Sequence, residues 1–496
     1  MMFQEKQSYR QVFKSTSIFG GVQVFNIIIG LVRSKIVSVL LGASGYGIMN
    51  LFNAPLSFIE SLTGLGINYS AIRDISAANQ TEDYIKLSTT LKVFRRWVWI
   101  TGLFGMFTVI ILSQCLSKWS FGNKEYTWAF LLLSITLLIG SVSKGQSAIL
   151  RGTRRIKDTA KAGLLGSALG LIIAVPLYYY FGIKGIIPSL ILSALIILFF
   201  SWYFSKKVKT ICVKISNREI AVQGKVMIKL GLVMTLASLI GSGASYIVIA
   251  FIRKVGGVSE VGLFNAGWSI TNQYSGLVFA AMGADYYPRL AGIHTDNLKI
   301  REIVNHQAEI AILIIAPMML FYLTSLPILI PLLFTKEFLS IIPFTQWVVL
   351  GMLFKTASWT LGYISFAKGD SMVFLFLEGI LGNMLQIVGY VGGYFYFGLE
   401  GIGIGFFLVN VLFFPIIVFI CKKRYAVNFT KSFSRIFIIQ LLFCSISFSI
   451  VYFLKYPIGY ISGVIMLIFS IFYSYKSLNN RIDIKGMIRS KIKKRE

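Results

Sequence analysis

The chain has 496 residues, 56% of them hydrophobic and 14% charged, with a mean hydropathy of +0.75. Soluble globular proteins are roughly a quarter charged, and long uncharged apolar runs recur here from end to end, so a polytopic membrane protein is predicted and a soluble multidomain protein excluded. The net charge of +29 would suggest nucleic acid in a soluble protein, but here the basic residues sit in short loops between apolar runs, and no nucleic-acid partner is expected.

Fourteen spans are predicted, at roughly 17–41, 46–71, 97–117, 127–149, 162–181, 185–204, 228–252, 261–287, 307–334, 341–366, 372–397, 401–421, 435–454 and 457–475. Each can cross a bilayer at about 20 residues per helix. The first run is too long for a signal-peptide core and is expected to be a retained span. With the N-terminus inside, the even-numbered loops, both tails and the cytoplasmic ends of spans 7 and 13 (Lys229 and Arg435) hold 37 of the 48 Lys and Arg. The opposite side holds seven: Lys118, Lys124, Lys184, Arg253, Lys254, Lys336 and Lys455. This asymmetry predicts that both termini are cytoplasmic. Connections on the outer side are very short, such as 42–45 and 182–185. The longest connection, 205–224, carries Lys206, Lys207, Lys209, Lys214 and Arg218 and is expected in the cytoplasm, as is the basic tail. Both read as topology signals with some attraction to anionic lipid.

An internal repeat is present. Gly42-Ala-Ser-Gly-Tyr-Gly47-Ile-Met-Asn50 matches Gly257-Val-Ser-Glu-Val-Gly262-Leu-Phe-Asn265 at an offset of 215. Tyr180-Phe-Gly182-Ile-Lys-Gly185-Ile matches Tyr396-Phe-Gly398-Leu-Glu-Gly401-Ile at an offset of 216. The unit holds six spans, an even number, so both halves keep one orientation and a site is expected at their interface. The predicted organisation is an N-terminal six-helix lobe (1–205), a cytoplasmic linker (206–226), a C-terminal six-helix lobe (227–421), two extra helices (435–475) and a basic tail (476–496).

Charges inside spans are costly and mark candidate sites. Arg33 shares one face of span 1 with Gln23, Asn26 and Gly30, and is expected to face a cavity. Lys35 points to nearly the opposite side of that helix, and a cavity or the outer interface are equal alternatives for it. Lys355 shares a stripe with Gly351, Ser358 and Gly362 and is read as cavity lining, against a buried pair with Glu378. Lys144 lies near the cytoplasmic end of span 4, where a cavity and snorkelling to the interface weigh equally. Glu60 and Glu378 are chemically able to carry a proton or bind sodium, but the plainer expectation is that each neutralises a nearby Arg or Lys. At the repeat offsets Arg33 corresponds to Val248, Lys355 to Ile139, Glu60 to Ser275 and Glu378 to Ala162. Unequal charge on a duplicated frame suggests a specialised site, and its basic members suggest an anionic group such as a phosphate.

Cys115, Cys212, Cys421 and Cys444 are scattered, and His294 and His306 fall in one predicted loop region, so neither a disulfide framework nor a metal site is expected. No nucleotide-binding or hydrolase motif occurs, which argues against ATP hydrolysis and against an enzyme, and no cofactor is expected beyond a coupling H+ or Na+.

The arginine of span 1, Leu40-Leu-Gly42 with Gly45 and Gly47, Asn50, and the span-2 ending Gly64-Leu-Gly66-Ile-Asn-Tyr-Ser-Ala71-Ile-Arg73 resemble the oligosaccharide-lipid flippases of bacterial polysaccharide synthesis. These are the O-antigen (Wzx-type) branch of the MATE-like MOP exporter superfamily. Arg151-Gly-Thr-Arg-Arg155 and Phe181-Gly182 with Gly185 also fit, and the resemblance covers roughly 1–421. It implies two six-helix bundles in a V, alternating access, and a cationic cavity in which Arg33 matches the family's span-1 cation. The implied substrate is an undecaprenyl-pyrophosphate-linked sugar unit of O-antigen, lipopolysaccharide or a related surface polysaccharide. The implied location is the bacterial inner membrane, with other membrane proteins of polysaccharide assembly as candidate partners. Arg33 and Lys355 would hold the pyrophosphate. Two alternatives stand beside this reading. One is a MATE-type multidrug or cation antiporter, which would want a carboxylate-dominated cavity. The other is a membrane polysaccharide polymerase or glycosyltransferase, for which the large external loop usual in polymerases is missing.

Overall fold

The computed structural model describes the backbone of residues 2–80, 83–293, 296–454 and 457–482, and side chains within that set except at 2–24, 26, 229–234, 280–285, 480–482 and isolated positions elsewhere. The described chain is helical almost throughout, with no strand among the described residues. Helix is what apolar runs of this length must form in a bilayer, where every main-chain polar group has to be satisfied within its own segment. The helices are α1 (Met2–Thr63), α2 (Ile67–Gln80), α3 (Tyr84–Phe121), α4 (Thr127–Gly152), α5 (Ile156–Phe181) and α6 (Ile186–Ser205). There follow α7 (Asn217–Ala291), α8 (Asn297–Leu333), α9 (Ile342–Ala367) and α10 (Ser371–Phe374). A π-helical stretch, Leu375–Leu381, leads on to α11 (Gly382–Tyr425), and α12 (Lys431–Phe453) and α13 (Ile458–Ile482) are the last described helices. Among the described residues, ten helical stretches are long and apolar enough to cross a membrane, and the protein is a multi-pass membrane protein.

Several of these stretches are far longer than one crossing requires, and glycine explains how they fit. Gly42 (φ 64°, ψ −170°), Gly182 (φ 54°, ψ −132°), Gly257 (φ 86°, ψ −175°) and Gly398 (φ 60°, ψ −143°) interrupt them in a backbone region that only glycine enters freely. At three of the four, contacts show that the chain turns back on itself. Around Gly182, Gly166 lies against Ile197, Gly170 against Ser193, and Gly185 against the Leu177 main chain. Around Gly398, Gly389 lies against the Gly405 main chain and Gly393 against that of Gly401, an antiparallel register that only small residues permit. Ser34 and Tyr46 hydroxyls meet at 3.2 Å, although twelve residues of straight helix would separate them by about 18 Å. The turns at Gly42 and Gly257 also pack on each other. A Cβ on Gly47 would sit 2.0 Å from the Val258 carbonyl, and one on Gly262 would sit 1.9 Å from the Ala43 carbonyl.

Contacts group the chain into two compact units, Met1–Asn265 with Leu333–Thr335, and Ala266–Leu332 with Lys336–Glu496. The core of the first includes Val93, Phe94, Ile149 and Leu150, all fully buried. In the second, Tyr286 donates to the Thr360 carbonyl (2.6 Å), and Glu400 accepts from Trp347 Nε1 (3.0 Å) and the Tyr452 hydroxyl (2.7 Å). Gln440 joins α12 to α13 through Ser470 and Ser474 (2.7 and 2.8 Å).

Two expectations shift. The 206–226 connection is not all linker. Residues 209–216 form no helix or strand and lie against α3, where Lys92 donates to the Val213 carbonyl (2.6 Å) and Ser88 accepts from the Ile211 amide (2.8 Å), and Asn217 already begins α7. His306, predicted in a loop, lies in α8, because that helix begins ten residues before the apolar run that predicted it. His294 lies outside the described residues, and no cluster able to hold a metal occurs among those described.

Candidate functional site

In the first unit, α1 ends at Thr63 because Gly64, Leu65 and Gly66 form a turn in which Leu65 (φ 48°) and Gly66 (φ 62°) adopt left-handed conformations. That turn exposes the last turn of α1 and the start of α2 to a cavity of about 370 Å³ shared with α3, α4 and α7. Glu60 and Lys144 meet there as an ion pair at 2.6 Å, their side chains 25% and 60% exposed. Arg151 stands about two turns further along α4, so two cations and one carboxylate line the cavity. Hydroxyls of Ser61, Thr101, Ser141, Ser147, Thr235 and Ser238 make up much of the remaining wall. The Asn68 side-chain oxygen is buried at the cavity and has no hydrogen-bond partner among the described residues. A buried acceptor of that kind costs free energy unless something supplies a donor.

The second unit has a cavity of about 250 Å³ that holds Lys355 and Glu378 together. Their charges interact, but among the described residues they form no ion pair of the kind Glu60 and Lys144 make. Lys355 Nζ instead lies over Trp268 (5.7 Å) and Phe406 (5.6 Å), whose rings face it as cation–π partners. Glu378 belongs to the π-helical stretch, a departure from α-geometry that recurs at functional sites. The wider turn leaves the Glu378 and Gly379 carbonyls to accept from Asn383 Nδ2 (2.9 and 2.7 Å). The carboxylate reaches Gly362, where a Cβ would stand 2.5 Å from Oε1. Ser358 Oγ, buried in the same wall, has no hydrogen-bond partner among the described residues. Aromatic faces of Trp359, Tyr390, Phe406 and Phe413 complete the lining.

The predicted site residues therefore separate. Lys144 comes together with Glu60 in one cavity, and Lys355 with Glu378 in another. Lys35 donates to the Phe334 carbonyl at 3.0 Å within the first unit, so it is tied to protein main chain. Arg33 is half-buried and lines none of the described cavities. Gln23 and Asn26, its predicted stripe partners, lie outside the described side chains. Arg151 and Asn68 were visible in the sequence as parts of motifs, yet nothing in their spacing marked them as sharing a cavity with Glu60 and Lys144.

Comparison with known proteins bears on this arrangement. Searches of curated sequences return no significant match. Among solved structures, the lipid II flippase MurJ in an inward closed conformation superposes with a TM-score of 0.71 at 12% identity, covering 93% of this chain and 99% of that one. An inward-facing multidrug resistance MATE family transporter of the MOP superfamily gives 0.68 at 18% identity, covering 83% and 96%. A MOP superfamily transporter from Pyrococcus furiosus gives 0.61 at 18% identity, covering 83% and 96%. The fold is therefore that of the MOP superfamily transporters, as the span-1 and span-2 motifs led one to expect. A family model described as polysaccharide biosynthesis protein matches residues 36–343, a stretch that contains Glu60, Lys144 and Arg151, and the chain belongs to that family.

Proposed function

We propose that the protein is a flippase that moves an undecaprenyl-pyrophosphate-linked oligosaccharide of O-antigen or a related surface polysaccharide across the bacterial cytoplasmic membrane. The observation that carries this reading is the wall of the first-unit cavity, where Lys144 and Arg151 outnumber Glu60 among six hydroxyl-bearing side chains. Cations suit a pyrophosphate, and hydroxyls and amides suit sugar hydroxyls. The aromatic lining beside Lys355 adds flat faces on which sugar rings can stack.

Counting each glycine-broken stretch as two crossings gives fourteen spans with both termini cytoplasmic. The equivalent contacts of Gly47 with Val258 and of Gly262 with Ala43 support two six-helix repeats. Alternating access between two lobes is the transport mode proposed. It is supported by the likeness to MATE transporters described in inward-facing and outward-facing conformations. Glu60 is occupied by Lys144, which leaves Glu378 as the candidate for H+ or Na+ coupling. Arg33 remains a candidate for pyrophosphate contact, together with Lys355, Lys144, Lys35 and Asn26.

The test is restoration of surface polysaccharide in a flippase-null strain. Lys144→Gln with Arg151→Gln, and separately Arg33→Ala with Lys355→Ala, are expected to fail at normal expression, with single lipid-linked units stranded on the inner leaflet. Full activity in both pairs sinks the site assignment. The second reading, a multidrug or cation antiporter, draws on the carboxylates Glu60 and Glu378, and a drug-efflux assay separates the two.

A further inference from the structure

Only seven Lys and Arg are expected on the side opposite the basic loops, and three of them converge. Lys118, near the end of α3, meets Arg253 and Lys254 of α7, some 130 residues away in sequence, around a pocket of about 510 Å³. The turn that ends α3 builds one wall. Gly122 takes φ 76°, its amide donates to the Lys118 carbonyl (2.9 Å), and its lack of a Cβ makes room for the Arg253 guanidinium. A Cβ there would lie 2.6 Å from Arg253 Nη1. The Ser120 and Tyr246 hydroxyls, 3.1 Å apart, join the two walls below the cations. Trp119 and Ile247 leave an exposed apolar rim beside them.

The pocket is positive without compensation. No carboxylate lines it, and none of the three side-chain cations makes an ion pair or hydrogen bond with a described residue. Glu125, the acid nearest to it in sequence, is engaged by Asn123 Nδ2 at 3.1 Å. Basic residues on the translocated side work against the charge bias that orients a membrane protein, so three in one place are not explained by topology. A tryptophan at the rim is the side chain that sits at headgroup depth. Cations gathered beneath it are the chemistry that binds a lipid phosphate.

We propose that this pocket at the far end of α3 binds the phosphate of an anionic lipid headgroup, with Lys118, Arg253 and Lys254 as its ligands and Trp119 against the first methylenes. Two lipids offer that chemistry, a bulk anionic phospholipid and a polyprenyl pyrophosphate delivered to that leaflet. Only the second rests on the flippase reading. Purified full-length protein in neutral detergent, titrated with phosphatidylglycerol, phosphatidylcholine and farnesyl pyrophosphate, distinguishes them. Both anionic probes are expected to bind at least tenfold more tightly than phosphatidylcholine. For phosphatidylglycerol that preference is expected to vanish in the Lys118→Gln, Arg253→Gln, Lys254→Gln triple variant and to persist in Lys124→Gln, a change outside the pocket. Farnesyl pyrophosphate, which the cations of the other two cavities also attract, is expected to weaken at least threefold in the triple variant. Should the triple variant fail to fold, Arg253→Gln alone is expected to weaken both anionic probes at least threefold. A larger loss for phosphatidylglycerol in the triple variant identifies bulk lipid as the source, and a larger loss for farnesyl pyrophosphate identifies the transported class. Equal affinity in the wild type and the variants, or equal affinity for phosphatidylcholine, overturns the site. Because binding is read directly, a failure of the flippase reading leaves this result standing.

Discussion

Lys144 and Glu60 show how little a single charge in a span reveals by itself. Both were recognisable as intramembrane charges, but they lie 84 residues apart on different helices, and nothing in one sequence says which acid meets which base. Their ion pair is half open to the cavity, so it should add at most about 1 kcal/mol to stability. The cavity is not neutralised by the pair, since Arg151 also lines it. Lys144→Gln should therefore leave the thermal midpoint of the purified protein nearly unchanged and lower polysaccharide export at least tenfold. A matched loss of folding and export would reduce the pair to a structural role. Gly362 offers a second residue-scale test. Its absent Cβ is where the Glu378 carboxylate lies, and that carboxylate end can move. Gly362→Ala should preserve expression but displace Glu378, seen as an altered pH dependence of transport relative to wild type.

At the scale of the element, glycine was the legible signal and packing the hidden one. The matched motifs picked out Gly42, Gly182, Gly257 and Gly398, and all four have positive φ. That a stripe of Gly389, Gly393, Gly401 and Gly405 lets the two arms of α11 touch main chain to main chain was not evident, because a glycine in an apolar run reads equally as filler. The π-helical stretch 375–381 has no sequence signature, as it depends on how Asn383 and Glu378 are satisfied after folding. Gly398→Ala meets only backbone strain, of order 1–3 kcal/mol, whereas Gly401→Leu drives a side chain into the Gly393 carbonyl. Size-exclusion profiles should show a monodisperse but less heat-stable Gly398→Ala protein and an aggregated or absent Gly401→Leu protein.

The link between the start of α10 and the end of α11 gives an element-scale pH prediction. Asp370 accepts from Arg424 Nε (2.6 Å) and the Tyr425 hydroxyl (2.9 Å). Burial works to raise its carboxyl, but these two bonds and the guanidinium charge prevail and hold it below the usual carboxylate range. A carboxyl depressed in the folded state stabilises the protein above its unfolded value of about 3.9, and that stabilisation is lost as pH falls through the depressed value. The thermal midpoint of the wild type should thus fall more steeply below about pH 4 than that of Asp370→Asn. Parallel curves would show that the link contributes nothing.

For the whole molecule, the distribution of basic residues was enough to propose an orientation, while the grouping of residues into two units depends on contacts that no pattern in the chain specifies. Exposed Cys212, in the segment against α3, and buried Cys421 and Cys444 provide a direct check of the orientation. With Cys115 replaced by Ser, a membrane-impermeant maleimide should label Cys212 in inverted vesicles and not in intact cells. The reverse pattern would turn the topology over. The reversals at Gly182 and Gly398 carry a consequence for how the chain is made. The residues just beyond each glycine carry a single charge, Lys184 in one and Glu400 in the other, and no polar loop follows. An arm that leaves the ribosome first has no soluble segment to anchor it across the membrane. At about 5–20 residues per second it must wait one to several seconds for its partner. Each pair should then enter the bilayer as one helical hairpin, with the glycine at its leading tip.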